Sequence, residues 1–180
     1  MVSLITAHRL SLTLSRSGTH LKLRADQVVD VTVKSVQVYG LFCEYDDDTD
    51  LLVLIPEVSW TASFCSCEQI ADVGDSLTVK ILAVDESSGK IAGSIRRRFS
   101  DPWPTDVLNV GRQHTATVIR RVESADRCNG GPAYLLELIP GAYAMLCTSD
   151  ANMERGDLCD VTITASNPKA HAVEISLVNA

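Results

Sequence analysis

The sequence predicts an all-β protein made of two tandem five-stranded barrels, and three observations support this fold class. Apolar and β-branched residues alternate with polar residues over short segments, which is typical of half-buried strands. Turn-forming Gly, Asp and Pro residues separate these segments at strand-length intervals. The residue pattern of 74–95 also returns at 156–177, which indicates an internal repeat.

The composition is that of a folded protein without an excess of positive charge. Of the 180 residues, 46% are hydrophobic and 22% are charged, which supplies enough apolar material for a packed core. The formal net charge is -7. Because phosphate binding needs Lys and Arg on the contact surface, this charge excludes a protein that coats nucleic acid with its whole surface. Any nucleic-acid site must be confined to one face.

Neither the cysteines nor the histidines form a pattern typical of a metal site or an active site. The six cysteines show no CxxC pair and no neighbouring histidine, so we expect no metal, no cofactor and reduced thiols in a cytoplasmic protein. The four histidines stand at no catalytic spacing from a carboxylate or a cysteine, so we expect a non-catalytic protein. No run reaches the ~18 apolar residues of a membrane span.

Residues 1–25 carry basic side chains and no acidic one. Leucines at alternate positions from Leu10 to Leu14 predict an arm or an additional strand. Two interpretations stay open for this segment, because a terminal extension often has no task of its own, whereas a basic one can touch phosphate.

Residues 26–98 are predicted to form the first barrel. A glycine at position 40 follows the first strand and allows a sharp bend or bulge, and a second glycine closes a hairpin turn over residues 85–89. Helical turns are predicted at Pro56–Trp60 and Ser66–Ala71. Five strands with a helical insertion after the third describe the oligonucleotide/oligosaccharide-binding (OB) barrel. The predicted strands are Val28–Val38, Leu41–Tyr45, Leu51–Ile55, Leu77–Val84 and Lys90–Arg96.

The same segment resembles the S1 RNA-binding domain, a repeat first defined in a large ribosomal protein. That family shows an aromatic-Gly-x-Phe turn, an apolar strand leading into an Ile-Ser-Glu-Leu/Val-Ser segment, a Val-Gly-Asp strand start and a final Gly-Lys/Arg-Ile strand. The resemblance implies an OB barrel that binds RNA. This chain carries the four motifs, in that order, as Tyr39-Gly40-Leu41-Phe42, Leu52-Val53-Leu54-Ile55-Pro56-Glu57-Val58-Ser59, Val73-Gly74-Asp75 and Gly89-Lys90-Ile91.

A linker at 99–107 leads into a predicted second, degenerate OB-like barrel at 108–180. The Asp101-Pro102-Trp103 motif resembles the linkers between consecutive S1 repeats, and we expect Trp103 to fill the junction between the barrels. Trp60 is open to packing or stacking. Three strands are predicted at Thr115–Val122, Ala133–Ile139 and Ala142–Thr148, and the repeat at 156–177 supplies two more.

The candidate binding residues follow from the resemblance. Aromatic side chains stack on the bases of single-stranded RNA, at ~1–3 kcal/mol per base. Tyr39 and Phe42 occupy the positions of the family's stacking aromatics, although Phe42 is also open to interpretation as barrel core. Leu54 stands where the family usually has a histidine, and the acidic stretch 44–50 would repel phosphate if it faced the groove.

The charged candidates carry alternatives of their own. Lys34 and Lys90 are expected to meet RNA phosphates. Asp85 is predicted either to contact a base edge or to hydrogen-bond within its own turn. The run Arg96, Arg97 and Arg98 either extends a positively charged track or forms a solvated strand end.

Two functional hypotheses emerge. The first is a non-catalytic protein that binds single-stranded RNA through the first barrel, with the ribosome or other RNA-associated proteins as further partners in translation or RNA metabolism. The second is a protein-interaction adaptor that kept the barrel and lost RNA binding, since the barrel fold serves both purposes. The second barrel lacks the aromatic signature and is predicted to be structural or protein-binding.

Overall fold

The computed structural model describes residues 23–46, 49–64, 66–123, 128, 131–148 and 152–178. Most of the predicted N-terminal arm lies outside these residues. Regular structure in the described chain consists of ten strands and three short 3₁₀ helices, which confirms the all-β prediction. The first-barrel strands are β1 (Val28–Gln37), β2 (Gly40–Asp46), β3 (Thr49–Leu54), β4 (Ser76–Asp85) and β5 (Lys90–Ser94).

The first barrel is closed, with the strand order β1-β2-β3-β5-β4. All strand pairs are antiparallel except β3 and β5, which run parallel where the barrel closes. Alternate residues point inward along each strand, because the side chains of a strand alternate between its two faces. Val29, Val31 and Val33 of β1 are buried for this reason. Leu23 lies in the same core although it precedes β1.

The bend that the sequence assigns to Gly40 is divided between two positions. The register between β1 and β2 shifts between Val33 and Ser35, so the bulge lies at Lys34. Gly40 instead begins β2 after a turn at residues 38–39, and a Cβ atom there would lie 3.0 Å from the carbonyl oxygen of Val53. Gly40 is therefore required for the close approach of β2 to β3.

The second half of the chain repeats this arrangement. Its strand order, β10-β9-β6-β7-β8, is the order of the first barrel opened between the third and fifth strands. Two barrel or nearly closed barrel sheets therefore stand in tandem, as predicted. The strands are β6 (Gln113–Val122), β7 (Ala133–Ile139), β8 (Ala142–Cys147), β9 (Leu158–Asn167) and β10 (Ala172–Leu177).

The repeat extends to individual hydrogen bonds. Gly74 and Gly156 both have a φ of 94°, which L side chains rarely adopt. The Gly74 N–H donates to the carbonyl of Val33, and the Gly156 N–H donates to that of Val118, each at 2.8 Å. The overlay of 74–95 on 156–177 thus identifies a real structural equivalence.

The two barrels share a core. Val122, Ala133, Leu135 and Met145 of the second barrel belong to the hydrophobic cluster that contains the core of the first. The segment after β3 also crosses to the β7–β8 turn, where the backbone N–H of Trp60 donates to the carbonyl of Gly141 at 2.8 Å. Because shared burial stabilises both units together, the barrels are docked rather than strung on a linker.

Both tryptophans lie at this junction. The Trp103 indole N–H donates to the carbonyl of Trp60 at 2.7 Å. The ring of Trp103 stacks on His171, with ring centroids 5.4 Å apart. Trp103 therefore fills the junction as expected, and Trp60 packs beside it.

The expectation that all cysteines are reduced is wrong for Cys128 and Cys147, which form a disulfide. They are 19 residues apart in sequence, and their Cα atoms are 5.3 Å apart. The sequence offers no motif for this bond, because it depends on the pairing of β7 with β8, which places Cys147 opposite Ala133 at the start of β7. Cys43, Cys67 and Cys159 are free thiols.

Candidate nucleic-acid interface

An open groove of about 570 Å³ crosses one face of the first barrel. Its walls come from β2, β3 and the hairpin that joins β4 to β5. Phe42, Asp85 and Lys90 line it, so the structure brings three of the predicted site residues together. We call this surface the barrel groove.

Tyr39 and Phe42 form an edge-to-face pair beside the barrel groove. Their ring centroids are 6.2 Å apart and the ring planes meet at 85°. Tyr39 is 53% exposed. Phe42 is half-buried, whereas its neighbours Leu41 and Cys43 point into the core. Strand alternation thus places Phe42 on the outer face of β2, and the core interpretation of this ring is wrong.

The groove surface is largely apolar along β3. Leu54 is 46% exposed and lines the groove with Leu52, while Leu51 and Val53 are buried. Sequence reasoning singled out Leu54 and missed Leu52. The apolar run 51–55 hides the alternation that would have assigned Leu52 to the outer face, because all its side chains are hydrophobic.

Lys34 is engaged by acidic neighbours. Its Nζ atom lies 3.0 Å from a carboxylate oxygen of Glu44 and 3.3 Å from one of Asp50. Hydrogen bonding to Glu44, followed by that to Asp50, raises the pKa of Lys34 above its usual value. Lys34 therefore neutralises part of the acidic stretch and does not line the barrel groove.

Asp85 and Lys90 pair across the β4–β5 hairpin, and the two side chains differ in how many contacts they make with the protein. The carboxylate of Asp85 accepts hydrogen bonds from the hydroxyl groups of Ser87 and Ser88, at 2.6 and 2.5 Å, and from both backbone N–H groups. These bonds, with the Ser87 hydroxyl contributing most, lower the pKa of Asp85 well below its usual range. Lys90 forms no ion pair within the part of the chain that the structure describes, so it offers a free cation to the groove.

The three consecutive arginines do not line the barrel groove. They lie in the 3₁₀ helix Arg96–Arg98, where Arg96 and Arg97 bind Glu57 at 3.3 and 2.9 Å. Burial disfavours the charged carboxylate of Glu57, but hydrogen bonds from Arg97, Ser94 and Arg96 together lower its pKa. Arg98 donates to the carbonyl of Thr78 at 2.8 Å. The arginines hold the end of β5 in place and form no continuous track.

The second barrel has strand positions equivalent to those of the barrel groove, but their side chains are not exposed. Phe42 lies opposite Ser35, the residue that follows the bulge of β1. Leu135 lies opposite Arg120, the residue that follows the bulge of β6. Leu52 and Met145 are the equivalent partners on β3 and β8. Leu135 and Met145 are both buried in the cluster that contains the first core. The equivalent face is therefore part of the junction between the barrels.

No cluster of three or more potential metal ligands occurs among the described residues. Within the same residues, no helix has the length and apolarity needed to cross a membrane.

Comparison with known proteins shows which family the first barrel is similar to. Residues 22–96 match the family model of the S1 RNA binding domain, and this range contains the whole barrel groove. General stress protein 13 of Bacillus subtilis is 40% identical over 82 residues, which are 45% of this chain and 62% of that protein. Small ribosomal subunit protein bS1 of Pseudomonas aeruginosa is 29% identical over 103 residues, which are 56% of this chain and 17% of that protein.

A solved structure of general stress protein 13 from Bacillus subtilis aligns with a TM-score of 0.40 at 39% identity. The alignment covers 43% of this chain and 58% of that one. This chain thus spans less than two thirds of general stress protein 13 and less than a fifth of the bS1 protein.

Proposed function

We propose that this protein binds single-stranded RNA in the barrel groove without catalysing a reaction, because residues 22–96 match the family model of the S1 RNA binding domain. The observation that carries the proposal is the exposed Tyr39–Phe42 pair beside an open groove of the matched domain. Two rings at an angle present both a face and an edge to nucleobases, which stack on aromatic side chains whatever their sequence.

Each side chain of the groove has a separate part in this proposal. Tyr39 and Phe42 stack on bases, and the exposed surfaces of Leu52 and Leu54 contact base or ribose atoms. Lys90 meets a phosphate. Asp85 shapes the hairpin rather than reading a base, because its own turn occupies its acceptors. We therefore expect binding with little sequence preference, since few free polar groups face the groove.

The charge of the groove sets the expected salt dependence. Lys90 is the only cation that lines the groove within the described chain. Lys34 and Lys80 lie outside it and are paired with acidic side chains. The logarithm of the association constant falls by about 0.7 per neutralised phosphate of a single strand for each tenfold rise in salt. We expect the plot of the logarithm of the association constant against the logarithm of salt concentration to have the slope of one or two neutralised phosphates.

The test is fluorescence anisotropy with a labelled, unstructured RNA. The double variant Tyr39→Ala/Phe42→Ala should bind at least tenfold more weakly than wild type, because each stacked base contributes ~1–3 kcal/mol. Val110→Ala is the control, since Val110 is an exposed hydrophobic residue that lies in the second half of the chain. Absence of saturable binding at low salt, or equal affinity of the double variant and wild type, would contradict the proposal.

We further propose a cytoplasmic role connected with translation. Its support is the similarity to a protein named as a component of the small ribosomal subunit. Co-sedimentation with ribosomal subunits, repeated with the Tyr39→Ala/Phe42→Ala variant, tests this role. Sedimentation that the variant retains in full would show that the barrel groove is not responsible.

A protein-binding function is the second candidate, and the apolar character of the barrel groove favours it. Leu52 and Leu54 suit an apolar peptide side chain as well as a base, and Asp50 at the groove edge would attract a basic partner. Pull-down with and without nuclease separates the two functions. Partners that persist after nuclease treatment and depend on Leu54 would favour protein binding, whereas loss of every partner would favour RNA.

A further inference from the structure

A second cavity, of about 330 Å³, lies between the two barrels. One wall is the segment that follows β3, and the other is the turn between β9 and β10. Arg96, Lys169 and His171 line it, and none of its lining residues is acidic. We call this cavity the junction cleft. Glu57 pairs with Arg96, so Lys169 and His171 are the basic groups that suit this place to an anion in a chain with a net charge of -7.

Two residues that line the junction cleft each carry a buried hydrogen-bond donor without an acceptor in the described part of the chain. The indole Nε1 of Trp60 and the guanidinium Nε of Arg96 are buried and have no hydrogen-bond partner among the described residues. The guanidinium carbon of Arg96 lies 4.6 Å from the centroid of the Trp60 ring. Because a buried donor without an acceptor is unfavourable, a small movement of either side chain toward an acceptor oxygen in the cleft would be stabilising.

The junction cleft and the barrel groove are lined by consecutive residues of the chain. Leu54 lines the groove, and the next residue, Ile55, lines the cleft. The Ile55 N–H donates to the carbonyl of Tyr39 at 2.8 Å, so the backbone of the aromatic pair is hydrogen-bonded to the cleft wall. An RNA strand that extends past Leu54 would meet the residues of the cleft wall next.

We infer that the junction cleft binds a further nucleotide of the RNA strand held in the barrel groove. This inference rests on the proposed RNA-binding function. Lys169 and His171 meet the phosphate oxygens, and the ring of Trp60 contacts the base. The cleft volume suits one small ligand rather than a folded protein segment. The docked second barrel then completes the binding surface, because it supplies Lys169 and His171.

The two tryptophans make this inference measurable without a label on the protein. Trp60 lines the junction cleft, and Trp103 stacks on His171 at its edge. Oligouridylates of about four and about twelve nucleotides cover the range of site sizes of one OB barrel. Anisotropy of a labelled oligonucleotide reports binding, and tryptophan emission reports entry into the cleft.

We expect the longer RNA to bind more tightly and to quench tryptophan emission, and the shorter RNA to bind without quenching. Lys169→Gln should lower the affinity for the longer RNA about threefold to tenfold and leave the affinity for the shorter RNA unchanged. His171→Asn should act in the same direction, and Asn tolerates the positive φ of 51° at this position.

Arg155→Gln is the charge-matched control, because Arg155 is exposed on the second barrel and lines neither cavity. The inference is overturned if the longer RNA binds with no change in tryptophan emission, or if Lys169→Gln and Arg155→Gln weaken it equally. Failure of the proposed function looks different, because neither RNA would then bind in the anisotropy assay. A protein or peptide that quenches the tryptophans while RNA does not would also overturn the inference.

Discussion

Leu135 occupies in the second barrel the position that Phe42 occupies in the first, and the two side chains have opposite environments. Leu135 is fully buried, whereas Phe42 lines an open groove. The same strand position thus faces an open groove in one copy of the fold and the contact between the copies in the other. The outer face of the second barrel at Leu135 and Met145 is packed against the first.

Truncation of Leu135 should therefore destabilise the whole chain. We expect Leu135→Ala to lower the free energy of unfolding by about 2–5 kcal/mol, because it removes a buried side chain from a shared core. Phe42→Ala, the matched control, should lower it by less, since Phe42 is half-exposed. Urea unfolding followed by circular dichroism and by tryptophan emission measures both. Equal losses in the two variants would contradict the assignment of Leu135 to the junction.

Substitutions of Lys90 and Lys34 should differ in their effect on RNA affinity, although the sequence predicts a phosphate contact for both. Lys90→Met should lower the affinity and reduce the salt slope by about one phosphate contact. Lys34→Met should change both quantities little, because Glu44 and Asp50 already balance the Lys34 charge. Anisotropy titrations at several salt concentrations provide the measurement. A larger loss for Lys34→Met would mean that RNA displaces its acidic partners.

The sequence predicts the strands and the repeat well because alternation and turn residues are local features. It also locates the Tyr39–Phe42 aromatic pair, because the motif around Gly40 is continuous. It could not predict the ion pairs of Lys34 or of the arginines. Their partners Glu44, Asp50 and Glu57 are distant in sequence and come close only when the strands pair. The disulfide and the junction cleft escaped prediction for the same reason, because each joins segments distant in sequence.

Gly141 should be the most sensitive glycine of the junction. It has a φ of +80°, and a Cβ atom there would lie 2.8 Å from Cδ2 of Phe99 and 3.4 Å from Cδ1 of Trp60. Gly111 has a similar φ of +85° but no atom within 4 Å of the Cβ position. Gly111→Ala should thus show backbone strain alone, about 1–2 kcal/mol, and Gly141→Ala should lose about 1–3 kcal/mol more. Thermal unfolding compares them, and equal stability would argue against tight packing at the junction.

Reduction of the Cys128–Cys147 disulfide should destabilise the fold and leave RNA binding intact. A bond between cysteines 19 residues apart restricts the unfolded chain, which corresponds to about 3 kcal/mol. The double variant Cys128→Ser/Cys147→Ser should lose a similar amount, and Cys159→Ser is the control. Urea unfolding measures the stability of each variant, and fluorescence anisotropy measures its RNA affinity. No second-barrel residue lines the barrel groove, so a large loss of affinity for a short RNA would contradict this separation.

Acid should weaken the contacts of Glu57 before it unfolds the protein. Glu57 binds Arg96 and Arg97, and its pKa lies below the usual value in the folded state. Such a carboxylate stabilises the fold fully above the unfolded pKa of about 4.3, and this contribution disappears as the pH falls through the lower folded pKa. Glu57→Gln should therefore be about 2 kcal/mol less stable than wild type at pH 7.

The difference between wild type and Glu57→Gln should then shrink as the pH is lowered below about 4. Glu174→Gln removes an exposed carboxylate of β10 and serves as the control, with little effect at either pH. Urea unfolding across this pH range measures all three proteins. A difference that stays constant down to the lowest pH would show that Glu57 acts through its shape rather than its charge. In that case the arginines would hold the end of β5 by packing against Trp60 and Phe99, where their guanidinium groups already lie over the rings.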